Sequence, residues 1–129
     1  MREAATARSF PPEPRVLSEI RRFIASELER HSFRAFTDDF LLAVTEACSN
    51  SIRHSGTKEI RVSVAPVGSC LEITVADDGI YDPRIAIPEI DGEGHRGIQL
   101  MASVVDTFSL RQGTAAHPGT TVNLVKCKT

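Results

Sequence analysis

The chain has 129 residues, 41% of them apolar and 25% charged, with a formal net charge of −2. That length fits one domain, residues 1–129, with room for a sizeable core. The near-neutral charge, with no Lys/Arg cluster interleaved with aromatics, argues against direct nucleic-acid binding. No run of about 18 apolar residues suggests a transmembrane helix, and the N-terminus lacks the basic-then-apolar pattern of a secretory signal. The expectation is a cytoplasmic protein that needs no membrane.

Ala4 to Phe10 reads as a weak edge strand, closed by Pro11, Pro12 and Pro14, which neither a ladder nor a helix interior accepts. Arg15 to His31 places Val16, Leu17, Ile20, Phe23, Ile24 and Leu28 on one side, the pattern of an amphipathic helix. Thr37 can cap the next helix, with Asp38 and Asp39 in its first turn, where the dipole favours negative charge. That second helix carries Leu41, Val44, Cys48 and Ile52 as an apolar stripe, and Gly56 ends it. Glu46 and Asn50 stand one turn apart on a different face, followed by Arg53 and His54. Such a row is commonly a solvated polar face. It also suits a carboxylate base beside an amide that ligates a hard cation.

Glu59 to Ala65 and Cys70 to Asp78 both alternate, with Ile60, Val62 and Val64, then Leu71, Ile73 and Val75, on the inward side. A short connection makes them an antiparallel hairpin. Asp77 keeps the inward parity, so its carboxylate turns toward the core if the pleat persists; otherwise Asp77-Asp78-Gly79 is a turn. Ile80 to Arg96 has no period and ends in Gly-Glu-Gly-His-Arg-Gly, read as a glycine-rich loop entering a helix from Ile98 to Val105. Backbone N–H groups there can cradle phosphate. Asp106 to Arg111, with Phe108 and Leu110 on one face, and Thr120 to Lys126, with Val122 and Leu124 inward, close the chain as a second hairpin. The fold class is α+β, a two-layer sandwich with helices on one face of a mixed, mostly antiparallel sheet. Cys48, Cys70 and Cys127 match no metal spacing and read as reduced thiols, with Cys48 in the core.

Three weak signals occur in a telling order: a helix with Glu and Asn, a strand ending Asp-x-Gly, and a glycine-rich segment entering a helix. Together they make a nucleotide site. Asp77 can accept from an adenine amino group, while Gly79 lets the base approach the backbone. Asn50 can ligate Mg²⁺ held by the triphosphate. Gly94 and Gly97 can wrap the phosphates, Arg96 can neutralise them, and Glu46 can take a proton from an attacking hydroxyl. His54, His95 and Arg53 read more simply as surface or capping residues.

The segment Glu46-Ala-Cys-Ser-Asn50-Ser-Ile-Arg-His54 resembles the N-box of the bacterial anti-sigma-factor serine/threonine kinases of the RsbW/SpoIIAB type, in the GHKL superfamily. Asp77-Asp-Gly79 resembles the first glycine box, Gly94-His-Arg-Gly97-Ile98-Gln-Leu-Met the second with its lid, and Gly119-Thr120-Thr-Val the last. The likeness runs from Phe10 to the final strand. It implies a Bergerat-type ATP-binding fold. Glu46 would be the catalytic base, Asn50 the Mg²⁺ ligand and Asp77 the adenine-binding carboxylate, with Ile98 and Thr120 also at the nucleotide.

It further implies a protein that sequesters a sigma factor, phosphorylates a STAS-domain antagonist at a serine or threonine, and forms a homodimer. The chain departs from the family at Asp77-Asp78-Gly79-Ile80-Tyr81-Asp82-Pro83, where the second glycine of the first box is missing. That departure motivates an alternative, a non-catalytic binding module of the same fold. The catalytic half of a histidine kinase is disfavoured, since no dimerising helix with a phosphoacceptor His is expected ahead of the domain. A gyrase-like or chaperone ATPase would need a further domain.

Overall fold

Among the described residues, five strands form one sheet in the order β1-β2-β3-β5-β4, with three helices against it. The computed structural model describes residues 5–54, 56–79, 93–113 and 118–128, and for His54 and residues 93–97 the backbone alone. Strand β1 (Thr6–Phe10) is followed by a 3₁₀ turn at Pro14–Val16 and helix α1 (Leu17–Arg30). A second 3₁₀ turn (Arg34–Phe36) leads into α2 (Thr37–His54). The hairpin β2 (Ile60–Val67) and β3 (Cys70–Asp77) comes next. Helix α3 (Glu93–Val104) and the hairpin β4 (Thr107–Gln112) and β5 (Thr120–Cys127) complete the order.

Every pairing among the described residues is antiparallel, so the expected mixed sheet is simpler than anticipated. Alternation decides the faces. Val62, Val64, Leu71, Ile73, Val75, Val122 and Leu124 point into one core, shared with Ile20, Ile24 and Leu28 of α1, Phe40, Val44 and Cys48 of α2, and Met101 of α3. β1 and β4 are the edges. On β4, Phe108 is half-buried, while Leu110 on the same face stays exposed where cover thins.

Three local expectations shift. The buried stripe of α2 runs through Phe40, Ala43, Val44, Ala47, Cys48 and Ser51, while Leu41 and Ile52 flank it half-buried. Its small residues allow close approach to the sheet. Thr37 does not accept an N-terminal amide; its hydroxyl donates to the Arg34 carbonyl at 2.7 Å, tying the 3₁₀ turn to the helix. Helix α3 begins at Glu93, so Gly94 and Gly97 lie within its first turns rather than in a preceding loop.

The cysteine reading is corrected for two of three. Cys70 and Cys127 lie opposite each other on β3 and β5 and are joined as a disulfide across 57 residues. Cys48 alone is free, and buried.

Candidate functional site

The site grows from one end of the β3–β5 ladder, where Asp77 pairs with Thr120. Asp77 is 9% exposed and faces the core side, as its parity requires. Its carboxylate is held by three donors. Ser51 donates its hydroxyl to Oδ2 at 2.5 Å, Gly79 N–H donates to Oδ1 at 3.0 Å, and the Thr120 backbone N–H also donates. Burial still dominates and raises the Asp77 pKa above its ordinary value; those donors pull it down, and the charge of Asp78 adds to the rise. Asp78 points the other way. Its exposed carboxylate accepts from Thr57 Oγ1 and from Lys58 N–H, and these bonds lower its pKa.

Two further features define this end. A Cβ on Gly119, whose φ is +146°, would lie 2.9 Å from the Asp77 carbonyl oxygen. Only glycine lets the strand start so close. Thr120 Oγ1 is buried and has no hydrogen-bond partner among the described residues. A buried hydroxyl without a partner is costly, and here it stands beside a buried carboxylate. A polar ring edge presenting a donor beside an acceptor would satisfy both groups. The adenine base fits that demand.

Helix α2 supplies the rest. Ser51, which holds Asp77, follows directly on Asn50, so one helix fixes both positions. Asn50 Oδ1 accepts from Arg53 Nη2 at 3.1 Å. Glu46, one turn earlier and half-buried, lines a cavity of about 320 Å³ with Pro14, Leu17, Ser49, Ile52 and Arg53. No cluster of three or more His, Cys, Asp or Glu suited to a metal occurs among the described residues. A single amide oxygen suits Mg²⁺ that keeps phosphate oxygens and waters as its other ligands.

The structure thus brings Asp77, Gly79 and Thr120 together and ties them to Asn50 through Ser51. Ile98 is half-buried on α3, packed against the core. Gly94 and Gly97 lie at the start of α3, and that helix packs on α2. The Arg96, His54 and His95 side chains and the Ile80–Tyr81–Pro83 stretch lie outside the described residues. Sequence reasoning missed Ser51 and Gly119 as shapers of the Asp77 pocket. Ser51 falls four residues after Ala47 on the buried side of α2, and that polar residue in a core position was the available signal.

This architecture, an antiparallel five-stranded sheet packed against helices, is that of a histidine kinase-like ATPase domain. The histidine kinase-like ATPase domain model matches residues 10–126, and the chain belongs to that family. It is 25% identical over 134 residues to the serine-protein kinase RsbW of Bacillus subtilis, a match covering 90% of this chain and 81% of that protein. The crystal structure of the RsbU and RsbW domains of a Mycobacterium tuberculosis protein superposes with a TM-score of 0.71 at 16% identity. It covers 97% of this chain and 32% of that one, so the chain spans about a third of its length. The Acinetobacter baumannii histidine kinase AdeS shares the fold more distantly, with a TM-score of 0.53 at 10% identity, covering 97% of this chain and 68% of that one. The RsbW-type resemblance read from the motifs is borne out.

Proposed function

We propose that this chain is an ATP- and Mg²⁺-dependent serine/threonine protein kinase of the anti-sigma type. It would hold a sigma factor away from transcription and phosphorylate a STAS-domain antagonist, as a cytoplasmic homodimer. The observation that carries the reading is the arrangement of α2. One rigid helix bears a carboxylate at Glu46, an amide at Asn50 and, at Ser51, the hydroxyl that locks the core-facing Asp77.

In this reading Asp77 and Thr120 bind the base, Gly79 leaves it room, and Gly119 lets β5 start close against the Asp77 carbonyl. Gly94, Arg96, Gly97 and Ile98 close over the phosphates. Bound Mg²⁺ would neutralise charge on the transferred phosphoryl group, with Asn50 as its protein ligand. Glu46 holds the acceptor hydroxyl by its proton and removes it as the phosphoryl group arrives, a role worth roughly 10²–10⁴ in rate. In this reading the acceptor side chain would reach that carboxylate along the cavity that Glu46 lines.

The test is transfer of the γ-phosphate of ATP to a STAS-domain protein, with Glu46→Gln beside the wild type. The reading predicts a rate fall of about 10²–10⁴ with ATP binding retained. Equal rates would remove Glu46 from the chemistry. The missing glycine after Gly79 favours a second reading, a binding module that holds nucleotide without transferring it. ATP binding with no transfer to any STAS acceptor would select it.

A further inference from the structure

The other end of the β3–β5 ladder carries chemistry that nucleotide binding does not use. Cys70 and Cys127 are partners in the register, and the Lys128 N–H donates to the Ser69 carbonyl at 3.0 Å just outside them. That bracketing bond makes Cys70–Cys127 a non-hydrogen-bonded pair, the position where opposed side chains come closest. Parity then fixes the face. Leu71, Ile73, Val75, Val122 and Leu124 are buried under the helices, so Cys70 and Cys127 lie on the opposite face, which carries none of the described helices, both half-buried.

The third cysteine cannot compete. Cys48 is fully buried on the core side of α2, and burial, aided by the charge of Asp77, pushes its thiol up to about 12. Native thiol chemistry is therefore confined to the pair.

We propose that Cys70–Cys127 is a reversible thiol–disulfide site, open on the face opposite the described helices to small thiols such as glutathione, that sets the stability of the nucleotide-binding half of the sheet. An external thiolate attacks one sulfur and the S–S bond breaks. The released cysteine thiolate takes a proton from water. A second external thiol resolves the mixed disulfide, leaving two cysteine thiols and one external disulfide. The closed loop, spanning 57 residues, contains Asp77, α3, β4 and Thr120, and leaves Glu46 and Asn50 outside. The sulfurs stand seven ladder steps from Asp77 and Thr120, roughly 24 Å at strand spacing. Oxidation therefore acts on the unfolding equilibrium and not on nucleotide contacts. For a loop of this length the chain-entropy model gives about a thousandfold in the unfolding constant, a melting shift on the order of 10 °C.

The test is native maleimide labelling and thermal melting of the full chain, equilibrated in oxidised or reduced glutathione. The site predicts no reactive thiol when oxidised and two when reduced, with Cys48 labelled only after denaturation, and a melting point lower by about 10 °C on reduction. Cys70→Ser should melt like the reduced wild type, and oxidised glutathione, which can only cap the remaining Cys127, should not raise its melting point to that of the oxidised wild type. A pair that never oxidises, a disulfide that glutathione opens only in denaturant, or equal melting points in both states would each overturn the proposal. ATP titration under both conditions reads the nucleotide site separately, so failure here leaves the kinase reading standing.

Discussion

The two ends of the β3–β5 ladder are built on opposite principles. At one end Asp77 and Thr120 face the helices, with a buried carboxylate and a buried hydroxyl that has no partner among the described residues. At the other, Cys70 and Cys127 close the ladder covalently on the open face. The first end is held in a costly state that the proposed nucleotide would relieve; the second is stabilised whether or not a ligand is present. One pair of strands can carry both because successive residues point to opposite faces, so the even-numbered Cys70 and odd-numbered Asp77 of β3 answer to different surroundings.

The substitution with the largest expected effect is Asp77→Asn. It removes the charged acceptor, and calorimetry should show ATP affinity falling about 100-fold, as for a lost charge-assisted bond in a buried site. The fold should not suffer. Burial raises the Asp77 pKa in the folded chain, so between its unfolded and folded values the native state holds more protons. Stability then falls as pH rises through that window, and ionised Asp77 is a cost at neutral pH. The Asp77→Asn variant should melt at or above the wild-type temperature at pH 7. An equal loss of binding and stability would mean that Asp77 is structural and that the two ends do not differ.

Gly119→Ala tests the same end through the backbone. A side chain at φ +146° and 2.9 Å from the Asp77 carbonyl should cost about 2 kcal/mol, read by urea unfolding. Ser51→Ala should cost about 1 kcal/mol and weaken ATP binding, because it takes away the donor to Asp77 Oδ2. The smallest effect is at Asp78. Its pKa is lowered by Thr57 and Lys58, so its contribution is present above the unfolded value and lost as pH falls through the folded one. In a melting series against pH, Asp78→Asn should lower stability slightly at neutral pH and match the wild type in strong acid. That sign is opposite to the sign at Asp77.

Much of this was legible in the sequence where the signal is local. Strict alternation placed Ile60, Val62, Val64, Leu71, Ile73 and Val75 inward, and the same parity turned Asp77 toward the core. What was not legible depends on partners far away in the chain. Ser51 reads as an ordinary helix residue until β3 brings Asp77 to it across 26 residues. Cys70 and Cys127 look like isolated thiols until the β3–β5 register opposes them. The start of α3 was missed because glycines at 94 and 97 weaken helix propensity, and packing against α2 outweighs that local preference.

The most direct test of the central claim is calorimetric titration of ATP with Mg²⁺ into the wild-type chain and into Asp77→Asn, with the melting temperature of each recorded at pH 7. The account predicts binding by the wild type, binding about 100-fold weaker in the variant, and a variant at least as stable. A wild-type chain that is folded yet binds no ATP, or a variant that binds as tightly, would contradict it.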